Sequence, residues 1–252
     1  MPTNLSLITM LKVNQDAVNA FVNTPSNLII SISSDKSITI FVKLFHILQK
    51  IEKAHDGVIF DISLKDENNF ATCSADKSIK TWKKSENNMY KLDKSIINIH
   101  ENDIHKIIFL EDNSIISGSK DNKIKILKLV NNEYKCNFII DNQSPIYSIL
   151  YFKEENLLIS TGTETTNFWA LNNNSKAIIA NINAYCYGKN AFQKLDKERI
   201  IFGGVRNIQI LSLKEKKIIK EIKTDFLIWA ICVIEKKKNI YLRRYISRYN
   251  NI

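Results

Sequence analysis

Little in this chain is equipped for chemistry. The four cysteines, Cys73, Cys136, Cys186 and Cys232, lie far apart and form no C-x-x-C pair. That argues against a zinc site and a disulfide framework, and for a reducing compartment. Cys73 and Cys232 fall in strand-like apolar stretches, where a thiol serves as a small hydrophobe. The four histidines are His46, His55, His100 and His105; the last two stand five apart in a loop-to-strand segment, which suits neither helical metal spacing nor a nucleophile–base pair. Of six glycines only Gly203 and Gly204 are adjacent, and they match no phosphate-cradling spacing. The acidic pairs Asp66-Glu67 and Glu154-Glu155 fall where turns are expected. These absences argue against an enzyme, a cofactor, a metal centre and a small-molecule substrate.

Long apolar runs are also missing. The longest, Phe226 to Ile234, is too short to cross a bilayer. Leu5 to Leu11 lacks a leading positive cluster and a cleavage site, so the expectation is no secretion signal and no membrane anchor. Sustained helical spacing is scarce. Leu44, Ile47, Leu48 and Ile51 could form one helical face, but repeat register makes that segment an outer strand.

The formal net charge is +10, mostly from lysines scattered between strands among many Asn and Ile. An AT-rich coding sequence produces that bias without any ligand. An RNA-contacting surface would need the charge on one face, with aromatics or Arg to engage nucleotides. The compact runs are Lys214-Glu215-Lys216-Lys217 and Lys236-Lys237-Lys238, both at expected loops or outer strands, where Lys also discourages edge pairing.

What the chain does have is repetition. The segment from Phe70 to Trp82 reads strand, tight turn, strand, and weakened copies run from Ile30 to Phe41, Ile116 to Leu127, Ile159 to Trp169 and Ile201 to Leu211. Asp35, Asp76 and Asp121 stand 41 and 45 positions apart, a period suited to four-stranded propeller blades. Alternation such as Ile107, Phe109 and Ile115, and then Ile124 and Ile126, is strand behaviour.

These segments resemble the WD40 (G-beta) repeat family over most of the chain. In that family a blade carries a His before its first strand, a Ser or Thr in the second, an Asp in the next turn and a Trp in the third. By position, the second unit supplies the full set His55, Thr72, Asp76 and Trp82. The third supplies His100, Ser117 and Asp121, with Leu127 in place of Trp. The first keeps Ser31 and Asp35, with Asn14 and Phe41 at the other places; the fourth keeps Ser160 and Trp169, with Glu164 in the turn. The Gly-His and Trp-Asp dipeptides of the family are missing. A polar chain of this kind can satisfy every member across a blade.

The resemblance implies an all-β propeller of about six units, roughly 14–54, 55–99, 100–141, 142–182, 183–225 and a partial 226–252, in one domain over 1–252. Residues 1–13 would be an outer strand. Leu227 to Val233 makes a first strand of the last unit and Asn239 to Leu242 begins a second. After Leu242 the pattern stops, and the tail holds three of the five arginines. Two readings stay open: a divergent third strand closing a six-unit ring, or a truncated end that leaves closure incomplete.

The family commonly grips peptides or protein loops on the narrower face of the ring. Mapped here, that face holds Phe60, His105, Tyr147 and Trp229 from first strands, with Lys120 and Arg206 beside turns. The function implied is a non-catalytic scaffold for protein–protein interaction in a cytoplasmic complex, the nucleus staying open. The alternatives are an RNA-contacting component of a ribonucleoprotein, or a shortened propeller without an independent role.

Overall fold

The computed structural model describes residues 14–42, 46–163, 165–172, 175–182, 191–234 and 239–244. Every regular element among them is a β-strand. The first sheet consists of β1 (Val18–Asn23), β2 (Ile29–Ser33), β3 (Ile38–Phe41) and β4 (Ile47–Ile51); the second of β5 (Ile59–Asp66), β6 (Asn69–Ser74), β7 (Ile79–Lys84) and β8 (Tyr90–Ile96). The third comprises β9 (Ile104–Phe109), β10 (Ile115–Ser119), β11 (Lys123–Val130) and β12 (Glu133–Asp141), and the fourth β13 (Ile146–Phe152), β14 (Leu157–Gly162), β15 (Thr166–Asn172) and β16 (Ser175–Ile182). The fifth runs β17 (Phe192–Lys194), β18 (Arg199–Gly203), β19 (Val205–Ser212), β20 (Lys217–Ile234) and β21 (Asn239–Arg244). Each is an antiparallel meander in chain order.

The fold is a β-propeller with five blades, where about six units are expected. Material of the sixth is present as one hairpin. β20 is 18 residues long: Lys217 to Leu227 pairs with β19, and Ile228 to Ile234 pairs with β21. No turn-forming Gly, Pro or Asn interrupts the strand between those halves, so it runs on from one pairing partner to the next and joins the hairpin to the fifth sheet. The expected outer strand at 1–13, and the tail beyond Arg244, lie outside the described residues.

Among the described residues, turns are built without glycine in the left-handed region. Fourteen of the described non-glycine residues have positive φ, eight of them Asn, among them Asn27, Asn113, Asn122 and Asn156 between strands. Asn tolerates that conformation better than other L-residues because its short amide can bond locally. The Asn bias therefore has a structural use alongside its compositional origin. Lys36 and Lys77 hold the same place in successive second-to-third-strand turns, at φ 71° and 65°.

The sheets stack face to face through one repeated contact. Ile59 and Ile62 of β5 pack with Ile30 and Ile32 of the first sheet, and Ile104 and Ile107 of β9 pack with Ala71 and Cys73 of the second. Ile146 and Ile149 pack with Ile116 of the third. Each such fully buried aliphatic contributes on the order of 2 kcal/mol. Polar links reinforce the stacking: the Asp61 carboxylate accepts from the backbone N–H of Ile107 at 3.1 Å, and Ser63 Oγ accepts from Phe109 N–H at 2.9 Å. The side-chain amide of Gln49 exchanges two 2.8 Å hydrogen bonds with the backbone of Tyr90.

Glycine is required where the next sheet comes closest. A Cβ on Gly118 would stand 2.7 Å from Ile146 Cγ2 and from Ile149 Cδ1, and one on Gly203 would stand 2.4 Å from Ile228 Cβ. The second collision involves a branch-point carbon that cannot swing away. Gly203→Ala is expected to destabilise the protein by about 2 kcal/mol through overpacking, read as a shift in the denaturation midpoint; an unchanged midpoint would show that Ile228 does not pack there.

Candidate functional site

Two sets of side chains stand out: a polar chain inside each of the first four blades, and a row of bulged residues on the innermost strands.

The second blade holds the complete polar chain. Trp82 Nε1 donates to Thr72 Oγ1 at 2.9 Å, Thr72 Oγ1 meets His55 Nε2 at 2.9 Å, and His55 Nδ1 meets Asp76 Oδ2 at 2.9 Å. One tautomer satisfies all three: with the proton on His55 Nδ1, the Thr72 hydroxyl donates to Nε2 and accepts from the indole. The Asp76 carboxylate also accepts from the N–H of Asp56 at 2.9 Å and from the hydroxyl and N–H of Ser78 at 2.6 and 2.9 Å. It thereby ties the turn after β6 to the segment entering the blade.

The third blade repeats this without the indole. His100 bridges Ser117 Oγ and Asp121 Oδ2 at 2.8 Å each, and Asp121 accepts from the N–H groups of Glu101 and Lys123 at 3.0 Å. Leu127, fully buried opposite Ile115, fills the place of Trp82 opposite Phe70. In the first blade Asp35 accepts from Gln15 N–H at 2.8 Å and from Ser37 Oγ at 2.6 Å. Asn14 stands where the others have His, reached by Thr39 Oγ1 at 3.2 Å, while Ser31 donates to the Thr39 carbonyl at 3.3 Å.

The fourth blade reveals a residue that sequence reading missed. Asn142 is buried, and its Oδ1 accepts from Ser160 Oγ at 2.7 Å and Asn167 Nδ2 at 3.0 Å, while Trp169 Nε1 donates to Ser160 Oγ at 2.9 Å. The signal was available as spacing: Asn14, His55 and His100 each precede the second-strand Ser or Thr by 17 positions, and Asn142 by 18. The third-strand residue opposite that Ser or Thr changes with it. Beside His it is Lys80 or Lys125, whose ammonium reaches a backbone carbonyl, of Ala54 or Ile99. Beside Asn it is Thr39 or Asn167, which bonds the Asn side chain itself. The shorter amide is thus compensated from the third strand. Glu164 lies outside the described residues. The fifth blade substitutes apolar packing, with Phe192 and Phe202 edge to face at 6.0 Å.

Residues 46–83, which carry the complete chain, match the family model described as WD domain, G-beta repeat. The chain carries a WD40 repeat. No curated protein matches it.

The second set lies on the inner strands of the propeller. β1, β5, β9, β13 and the second half of β20 each slip register at their second position, at Asn19, Phe60, His105, Tyr147 and Trp229. A bulge re-aims the side chain it carries. Phe60 and His105 lie 4.5 Å apart between ring centroids, and His105 and Tyr147 5.0 Å, so three candidates from consecutive blades form one stack. His105 is 2 % exposed and spaces the half-buried Phe60 and Tyr147, whose rings close over it. Next to the stack, and equally unanticipated, Asp61 pairs with Lys106 at 3.0 Å. Lys120 is tied to Asp103, 3.4 Å from its carboxylate. Arg206 is exposed near the start of β19 with φ 61°. The side chain of Trp229 lies outside the described residues.

Burial is the largest influence on His55 and lowers its pKa below the ordinary 6.5, with Asp76 opposing. For Asp76 and Asp121 burial is again the largest single influence and pushes upward, but the summed hydrogen bonds outweigh it. His55 and Ser78 hold Asp76 well below 3.8, and His100 with the Glu101 and Lys123 amides brings Asp121 to about 2. All three shifts lower the folded-state value, so the unfolded chain protonates first and stability falls as pH falls. The melting temperature is expected to hold above pH 6.5, to decline below it through His55, and to decline again below 3.8, completing near the folded value of about 2 for Asp121. His55→Asn should cost about 1–2 kcal/mol, since Lys80 offers no compensating bond to the amide, and should remove the upper decline. Calorimetry across that range checks both; an upper decline that persists in the variant would place it elsewhere.

Proposed function

We propose that this chain is a non-catalytic scaffold that engages a protein or peptide partner at the inner-strand bulge row. The observation that carries this reading is the convergence of Phe60, His105 and Tyr147 from three consecutive blades into one stack. Three rigid strands hold it, so little ordering cost falls on binding. Trp229 occupies the same bulge position in the last hairpin, and Lys120 and Arg206 are the candidate rim cations. Aromatic residues and Arg dominate binding hot spots. No cluster of His, Cys, Asp or Glu suited to a metal occurs among the described residues. WD40 propellers in general serve as protein-binding platforms, which agrees with this reading.

An RNA surface gains little support from the lysines that stand beside acids, Lys84 with Glu67, Lys106 with Asp61, Lys123 with Glu101, Lys153 with Glu111 and Lys217 with Glu215, since they form no unbroken basic face at those places. The cytoplasm, as a reducing compartment, is the setting this reading requires.

The test is a quantitative pull-down from the native cell with the wild-type chain and the double variant Phe60→Ala, Tyr147→Ala. Hot-spot truncations of about 2 kcal/mol correspond to roughly 30-fold weaker binding, so specific partners should be lost while the melting temperature identifies any unfolding. Retention of every specific partner by a folded variant refutes the proposed face. Binding of homopolymeric RNA that weakens steeply with salt would favour the ribonucleoprotein reading.

A further inference from the structure

Directly opposed lysines stand on the outer hairpins of two neighbouring blades. In the second blade Lys83 of β7 lies opposite Lys91 of β8, and in the third Lys128 of β11 lies opposite Lys135 of β12. The pairs hold the same place in their sheets: Lys83 follows Trp82, Lys128 follows Leu127, and in both hairpins the register slips just before those two residues. All four lysines are exposed, and none takes part in an ion pair among the described residues. Other lysines of the same strands are partnered, Lys84 by Glu67 at 3.7 Å, Lys94 by Asn132 Oδ1 at 2.7 Å and Lys123 by Glu101 at 3.4 Å. The acid closest to Lys91 along its strand, Asp93, accepts from Thr81 Oγ1 at 3.2 Å instead.

Like charges directly opposite one another destabilise a sheet. The fold does not require them: at the same register the fourth blade places Ala170 opposite Ala177, and the fifth Ser212 opposite Lys217. A lysine on an outermost strand discourages edge pairing, which accounts for Lys91 and Lys135. It does not account for Lys83 and Lys128, because β7 and β11 are paired on both sides. Those two add repulsion where the edge is already protected, and a ligand that relieves it must bring negative charge to the hairpins.

The surroundings suit carboxylates better than a phosphate backbone. Apolar side chains are exposed close to the pairs, Leu92 next to Lys91 and Val130 two residues from Lys128. Neither hairpin carries an arginine to fork onto phosphate. Their rings, Trp82, Tyr90, Tyr134 and Phe138, are packed into the clusters between sheets and not laid open for bases to stack on. We propose that the outer hairpins of the second and third blades bind an acidic segment of a partner protein, in which apolar residues alternate with Asp or Glu. The inference uses the scaffold reading only for the partner's being a protein, and its surface is separate from the bulge row on the innermost strands.

Fluorescence anisotropy on the full chain tests this with a labelled peptide of alternating Glu and Leu, its counterpart of alternating Gln and Leu, and oligouridylate of matching charge. The Glu peptide is expected to bind at low salt and to weaken as salt rises, and the Gln peptide not to bind. Lys91→Glu with Lys135→Glu converts both pairs to opposite charges. Affinity for the Glu peptide should then fall about tenfold, while the melting temperature of the free chain rises by about 1–4 °C. A purely structural role for the lysines does not produce that opposite movement. Lys36→Glu with Lys77→Glu, the same change of charge on exposed turns, is expected to leave affinity within about twofold. Should the reversal not fold, Lys91→Gln with Lys135→Gln provides the same test, with binding about threefold weaker. The inference is overturned by failure of the Glu peptide to bind, by equal binding of the Gln peptide, or by tighter binding of oligouridylate. Affinity unchanged by substitution at Lys91 and Lys135, an equal loss in the Lys36 and Lys77 variant, or a melting temperature that falls on reversal also overturns it. Phe60→Ala with Tyr147→Ala leaves both hairpins intact, so failure of this surface and failure of the bulge row are read separately.

Discussion

The carboxylate in the turn between the second and third strands is the constraint on which the first three blades depend. Asp35, Asp76 and Asp121 each accept from an amide of the segment entering the blade, that of Gln15, Asp56 or Glu101, and from the residue two places further along the turn. In the second and third blades the entering segment is also the link from the blade before. One acid therefore fixes a tight turn and the hand-over between consecutive sheets. The imidazole of His55 or His100 carries the connection inward to the second strand, where burial makes each satisfied bond costly to lose. Where the acid or the imidazole is missing, a different device takes over: an amide network centred on Asn142 in the fourth blade, and aromatic packing around Phe202 in the fifth.

Inter-sheet packing is confined to one side of these strands. In the second, third and fourth blades the isoleucines before and after the bulge lock one sheet onto the next, and the bulged residue between them is turned out of that packing. Because the flanking isoleucines are almost fully buried, the bulged side chains are held on a rigid frame. Phe60, His105 and Tyr147 consequently form an ordered stack.

Much of this was legible in advance because it is local and periodic. The strand–turn–strand units, the full set His55, Thr72, Asp76 and Trp82, and the outer strand at Ile47–Ile51 all follow from spacing and alternation. Other features were obscured by chemistry that spacing alone does not price. Asn142 was hidden because an amide stands in for an imidazole one position further out, and only the bond from Asn167 shows why that substitution holds. Ser37 and Ser78 have no place in the four-residue repeat pattern, yet they supply the closest bonds to Asp35 and Asp76, 2.6 Å each. His105 looked like a surface contact; neighbouring rings from two other blades bury it. The unbroken run of β20 past Leu227 merges the start of a sixth unit into the fifth sheet, which no count of repeats predicts.

The chain by itself determined the repeat length, the strand alternation, and which turns carry an acid able to bind backbone amides, since those depend on residues within a few dozen positions of one another. Burial was decided by tertiary structure alone. Phe21 and Ile62 are apolar residues at one register position of one strand type, yet the first is largely exposed and the second is not. Among the described residues a sheet stands in front of Ile62 and none in front of Phe21, and water is excluded from an apolar side chain by its neighbours and not by its own identity.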